Sequence, residues 1–190
     1  MTIDIVPLTP ERWQAFADLF GVQGACYGCW CTYFRLAPKE RKQNDRDANK
    51  AFIKARIMVG PPPGVLAMDG GRAIGWLQVG PRADVPQWNS PRRVSAPLDD
   101  APPDDASVWA MSCFFVAKDA RRRGVTRRLV EGGVEFARAN GARLVEACPI
   151  AHSKSPLGLF VGAVGVFREA EFTEITSRKD NRPLMRKELI

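Results

Sequence analysis

Residues 113–130 read CFFVAKDARRRGVTRRLV. The apolar start, together with SVWAM before it, predicts a buried strand over 107–117. From Val125 the apolar residues recur at Leu129, Val130, Gly133, Phe136 and Ala137, which share one helical face. Arg127, Arg128, Glu131, Glu135 and Arg138 fall on the other face at spacings that allow pairing. Between strand and helix lies a short basic turn, with five arginines in the eight positions 121–128. A helix start offers unpaired main-chain N–H groups and the positive end of a dipole. Gly124 lets the backbone approach a ligand closely, and the flanking arginines add fixed charge. Together they predict a pyrophosphate cradle. The turn has neither the Gly-Lys-Ser/Thr of a Walker sequence nor the three-glycine dinucleotide fingerprint.

Outward from this junction, ARLVEACPI (142–150) predicts the next strand and SPLGLFVGAVGVFREA (155–170) a helix. FTEITSRK and RPLMRKELI predict two closing strands. Upstream, TIDIVPL (2–8) alternates as an edge strand does, and TPERWQAFADLF opens with Thr9 as N-cap and Pro10 at the first helical position. PKERKQNDRDANKAFIKARIMV (38–59) predicts one long polar helix, ended by Gly60 and the prolines that follow. GVLAMDGGRAIGWLQVG predicts a hairpin around Asp69-Gly70-Gly71. Residues 81–107 carry six prolines and the tract DDAPPDD. Too few elements flank this stretch to make separate domains, so it reads as a surface loop or flap. The element order predicts a single α/β domain over 1–190, a mixed sheet flanked by helices.

The 190 residues, 45% of them hydrophobic, suffice for one globular core. No apolar run is long enough for a membrane span, and MTIDIVPLTPERW has no basic flank followed by an apolar stretch. The expected location is cytoplasmic, with no membrane partner. There thiols stay reduced, so the five cysteines do not suggest a disulfide framework. The formal net charge of +7 points to an anionic partner. A nucleic-acid-binding module is one such reading. Against it, the helix arginines have glutamate neighbours, and no aromatic residue interleaves with them as single-strand binding would want; no nucleic-acid partner is expected.

Arg121-Arg-Arg-Gly124-Val-Thr126 after a buried strand resembles the Arg/Gln-x-x-Gly-x-Gly/Ala signature of the GNAT acetyltransferase superfamily. The likeness continues through WAMSCFFV, EFARANGARLVEACP, LFVGAVGVFREAEFTEI and RPLMRKEL, and CWCTYFRL resembles the acceptor-side segment of a bacterial subgroup. The resemblance implies a splayed sheet of about seven strands and acetyl-CoA as cosubstrate, with a small-molecule amine as acceptor. It also implies a homodimer as one assembly state. By the same resemblance, the strand holding Phe115 and Val116 bonds the pantetheine. The amides from Arg122 to Thr126 bind the pyrophosphate. Arg121, Arg123, Val125 and Arg127 belong to the same turn, and Phe160 and Phe167 border the cofactor. Thr126 departs from the usual Gly/Ala, but its hydroxyl can help to bind phosphate.

Many GNAT enzymes carry a general-acid tyrosine in a motif resembling Tyr-x-x-x-Gly-Phe. Here those positions read Phe167 to Phe172, with Glu171 in the glycine's place. The subgroup's strand tyrosine is replaced by Cys148, a weak acid at best and otherwise a small buried hydrophobe. A thiol near pKa 8.5 leaves readily as thiolate, whereas an alkyl ammonium near 10.4 costs about 4 kcal/mol to deprotonate at neutral pH. Glu146 is the candidate base or water-orienting group, the alternative being a structural pair with an arginine. The loss of both tyrosines also motivates a second reading, an acyl-CoA sensor that keeps the cradle and has lost catalysis.

Cys26, Cys29 and Cys31 lie within GACYGCWCTYFRL (24–36). With Cys148 and His152 they could ligate zinc, but no second Cys-x-x-Cys pairs with them, and no metal is expected. Trp30, Tyr33 and Arg35 in this stretch are candidate acceptor-binding residues. The aromatics supply flat area and Arg35 a partner for a carboxylate, unless the aromatics are simply core.

Overall fold

The structure is a computed structural model describing residues 2–152 and 160–189. Strands β1 (Asp4–Pro7), β2 (Gly64–Asp69), β3 (Arg72–Pro81), β4 (Val108–Val116), β5 (Leu144–Ala147), β6 (Thr173–Thr176) and β7 (Leu184–Glu188) form one open sheet. Their order is β1-β2-β3-β4-β5-β7-β6, and only β4 and β5 pair in parallel. β1 is an edge strand as predicted. The Gly70-Gly71 turn closes the hairpin, with φ of 55° and 86° and Asp69 facing Arg72. Both central residues have positive φ, as a two-residue hairpin turn that follows strand twist requires.

Helix α1 (Trp13–Phe20) follows a 3-10 turn at Pro10–Arg12. The polar run 38–59 makes two helices rather than one: α2 (Pro38–Gln43) and α3 (Arg46–Val59). Asn44 is extended, and Asp45 caps α3 by accepting a 2.8 Å bond from the Ala48 amide. Helix α4 (Val125–Ala139) buries Val125, Leu129, Val130, Gly133 and Ala137. A Cβ on Gly133 would lie 2.7 Å from a Leu77 methyl, so this glycine sets how closely α4 rests on the sheet. Helix α5 (Val164–Glu169) is the described part of the predicted helix 155–170, whose start lies outside the described residues.

Helices α4 and α5 cover one face of the sheet, where Leu77, Met111, Phe114, Leu129 and Phe167 share a core. Helices α1 and α3 pack on the other, around Phe16, Phe20, Ile53, Ile57 and Trp76. The proline-rich stretch is more than a surface flap. Arg82 is 0% exposed, and Val85, Trp88, Ser95 and Ala101 are buried with it. The Arg82 guanidinium donates to Asn89 Oδ1 and to the carbonyls of Ser95 and Ala101, which ties the loop around a single side chain.

Candidate active site

The parallel pairing of β4 with β5 stops at Met111 and Ala147. Beyond it β4 runs on to Val116, still paired to β3 up to Gly75. The chain after β5 turns away, where Ile150 bonds to Gly162 and Val164. The strands therefore fork, and the β5-facing main-chain groups of residues 112–116 have no strand partner among the described residues. At the fork the register slips between Gln78 and Val79, which face Cys113 and Met111 and leave Ser112 as an extra, bulged residue. Ser112 is fully buried, and its Oγ has no hydrogen-bond partner among the described residues.

From Val116 the chain enters a 3-10 turn at Lys118–Ala120 and then α4. Gly124 caps the helix with φ of 73°, the left-handed conformation that suits glycine. A Cβ there would meet nothing within 4 Å, so the space in front of it is open. The amides of Gly124, Val125 and Thr126 make no main-chain bond among the described residues, as expected of a helix start. These features fit a diphosphate.

The arginines of the turn have separate tasks. Arg123 pairs with Asp69 at 3.0 Å and ties the turn to the hairpin. Arg127 pairs with Glu131 and reaches Glu169. Arg121 bonds the Val116 carbonyl. Arg122, at φ of 61°, makes no ion pair among the described residues. The Val125 side chain is core, which leaves only its amide available to a ligand at this turn. Thr126 is half-buried at the first turn of α4.

A cavity of 680 Å³ opens along the unpaired length of β4. Its β4 side carries Ser112, Cys113, Phe114 and Phe115, with Phe160 stacked on Phe115 at an interplanar angle of 8°. The other wall is built from Tyr33, Phe34 and Trp88. Phe34 and Trp88 meet edge to face at 5.2 Å and pack with Ala110 and Cys148, at the opposite end of β4 from the cradle. The Tyr33 hydroxyl accepts from Arg93, which pulls its pKa below the usual phenol value.

Five other predicted site residues do not reach this cavity. Glu146 is wholly buried on β5, held by Arg82 at 2.9 Å and by Arg186 at 2.8 Å. Burial pushes its carboxyl up against the pull of the two arginines. It is the hub that clamps the proline-rich loop to the sheet, not a group bordering the slot. The Cys148 thiol sits among Phe34, Ala110 and Leu184, and burial pushes it up to about 12. Arg35 is turned inward, bonding the Asp84 carbonyl at 2.8 Å, and burial lowers it to about 10. Trp30 stacks on Phe20 and Trp13 behind the wall. Phe167 is core, edge-on to Phe114 and Phe172.

The cysteine stretch is a chain of tight turns, with positive φ at Ala25, Tyr27, Trp30 and Cys31. Cys26, Cys29 and Cys31 line the cavity. Cys31 Sγ lies 3.2 Å from Trp76 Nε1 and 3.3 Å from Cys113 Sγ. Among the described residues no group of three or more His, Cys, Asp or Glu side chains is placed to hold a metal ion. Likewise, no helix is long and apolar enough to cross a membrane.

Sequence reading missed Trp88, Arg93 and Arg182 on the cavity wall. A tryptophan beside an Arg92-Arg93 pair inside a loop was the available signal, because a side chain of that size seldom stays in water.

Residues 26–157 match the Acetyltransferase (GNAT) family, and the chain belongs to that family. No curated protein matches it in sequence. Among solved structures, an N-acetyltransferase from Staphylococcus aureus Mu50 superposes with a TM-score of 0.58 at 14% identity, covering 100% of both chains. A GCN5-related N-acetyltransferase from Kribbella flavida gives 0.55 at 17%, covering 98% of each. The PaiA N-acetyltransferase from Thermoplasma acidophilum, solved in complex with coenzyme A, gives 0.53 at 10%, covering 99% of each. At these identities the likeness is one of fold.

Proposed function

We propose that this chain transfers an acetyl group from acetyl-CoA to the amine of a small molecule, which attacks the thioester directly. The observation that carries the reading is the forked β4, whose free edge runs straight into the open Gly124 turn. The amides from Arg122 to Thr126 hold the pyrophosphate, the edge from Val116 down to Ser112 aligns the pantetheine, and Phe115 and Phe160 flank it. The thioester then lies near the fork. The complex of the Thermoplasma relative with coenzyme A supports the same cosubstrate.

The acid–base work falls to groups other than Glu146 and Cys148. The thiol can leave as thiolate, and Ser112 Oγ, buried at the fork without a partner among the described residues, can hydrogen-bond the departing sulfur while keeping its proton. No carboxylate or histidine lines the cavity among the described residues. Arg93 favours ionisation of the Tyr33 hydroxyl, and the phenolate, having released its own proton to solvent, can take the proton from the attacking amine. Nearby guanidiniums also disfavour an ammonium and so lower the cost of deprotonating it.

Calorimetry should find micromolar binding of acetyl-CoA, and thiol release should follow addition of an acceptor amine. No detectable acetyl-CoA binding would defeat the proposal. Binding without thiol release from a broad amine panel would favour the sensor instead, a reading that the buried Phe167 in the tyrosine's place keeps open.

A further inference from the structure

The charged groups on the cavity wall away from the cradle are all positive. Arg41 from α2, Arg92 and Arg93 from the proline-rich loop, and Lys179 and Arg182 from the β6–β7 connection all line it. None of the five forms an ion pair among the described residues, and no Asp or Glu lines the same space. Elsewhere this chain pairs its arginines closely: Arg35 and Arg56 share Asp84, and Arg82 and Arg186 bracket Glu146.

Three of these five cations are also held in place. Arg41 and Arg93 lie over the Tyr33 ring, 4.2 and 4.9 Å from its centroid. Arg182 donates to the Cys148 carbonyl at 3.0 Å, just past the fork. The Nε atoms of Arg41 and Arg182 are buried with no hydrogen-bond partner among the described residues. Collecting unpaired charge and unbonded guanidinium N–H groups in one cavity is costly unless an anion completes it. The pyrophosphate of the acyl carrier does not, because its cradle lies past Val116, at the other end of β4.

We infer that the acceptor bears an anionic group, a carboxylate or a phosphate, on the same small molecule as its amine. The inference rests on the transferase reading for the word acceptor alone. The anion sits among Arg41, Arg93 and Arg182 and brings the amine to the fork. A molecule carrying only positive charge, such as a polyamine or an aminoglycoside, is repelled by the same wall. The aromatic surfaces of Tyr33, Phe34 and Trp88 suit an apolar or aromatic body between the two groups.

The test is calorimetry on CoA-loaded protein with phenylalanine, phenylalaninamide, O-phosphoethanolamine and spermidine as probes. At least one anionic probe should bind about 10-fold or more tightly than both phenylalaninamide and spermidine, and its binding should weaken with added salt. Phenylalanine against O-phosphoethanolamine separates carboxylate from phosphate. Arg93→Gln and Arg182→Gln should each weaken the anionic probe about 10-fold and leave CoA binding within about 2-fold. Arg93 is half-buried in a loop, so Arg93→Gln carries the test should Arg182→Gln fail to fold. Equal or tighter binding of spermidine or phenylalaninamide, no binding of either anion, or loss of CoA affinity in Arg93→Gln would each overturn the inference. Thiol release is read separately. Anion binding without it leaves this inference standing and counts against the transferase, whereas thiol release with spermidine alone does the reverse.

Discussion

Glu146→Gln separates a structural glutamate from a catalytic one. The wild-type carboxylate meets Arg82 with one oxygen and Arg186 with the other, and both Glu146 and Arg82 are 0% exposed. Removing one partner of a buried ion pair costs about 3–5 kcal/mol, because the remaining charge stays buried without compensation. Glutamine keeps one carbonyl acceptor, so the lower end, about 3 kcal/mol, is expected. For a domain of this size each kcal/mol moves the melting temperature about 2–4 °C, which predicts a fall of about 6–12 °C. Arg82→Met breaks the same pair and should destabilise similarly. The double variant should lose at least about 1 kcal/mol less than the sum of the singles. Differential scanning calorimetry gives the melting temperatures, and thiol release well below melting gives kcat. An unchanged melting temperature with kcat reduced about 10²–10⁴-fold would mark Glu146 as a positioned acid or base after all.

Other substitutions probe the cradle, a helix end and the thiols. Gly124→Ala should cost about 1–2 kcal/mol of stability, because φ of 73° strains any L side chain, and should weaken acetyl-CoA about 10-fold by filling the open space. Undiminished affinity by calorimetry would show that the diphosphate binds elsewhere. Glu171 is left-handed at φ of 63° just past α5, where Phe172 N bonds Phe167 O and Glu171 N bonds Arg168 O. Glu171→Gly should therefore raise the melting temperature by about 2–4 °C despite losing the exposed pair with Lys187; a fall would show that the pair outweighs the strain. Alkylation by iodoacetamide near pH 8, mapped by mass spectrometry, should label Cys26 first. Cys31 is 4% exposed, and Cys148 is held protonated by a pKa of about 12. Labelling of Cys148 as fast as Cys26 would contradict its placement.

The strand-to-helix junction was legible because its signals are local. An apolar run, a glycine and a helical stripe sit within eighteen consecutive residues, and β4, Gly124 and α4 fall where periodicity placed them. The break at Asn44-Asp45 was equally local but passed unseen, since polar residues on both sides continue a helical composition and the cap depends on one Asp45 side chain. Glu146 was assigned to the right strand and the wrong environment. Its partners Arg82 and Arg186 stand 64 and 40 positions away, and no spacing rule joins residues so distant. The basic wall was hidden for the same reason: Arg41, Arg93 and Arg182 come from three loops or helix ends that meet only in the folded chain. Phe167 packs edge-on to Phe114 in the core and offers no hydroxyl for acid–base work.

Arg82 ties Asn89, Ser95 and Ala101 to one guanidinium and fastens that guanidinium to the middle of the sheet. Trp88 and Arg93 hang between those tether points. Their neighbours at positions 90–92 and 94 can drift in sequence without moving them, while the proposed grip on the carrier, on a different strand and helix, stays as it was. A fold wired this way can change its customer without relearning how to hold its reagent.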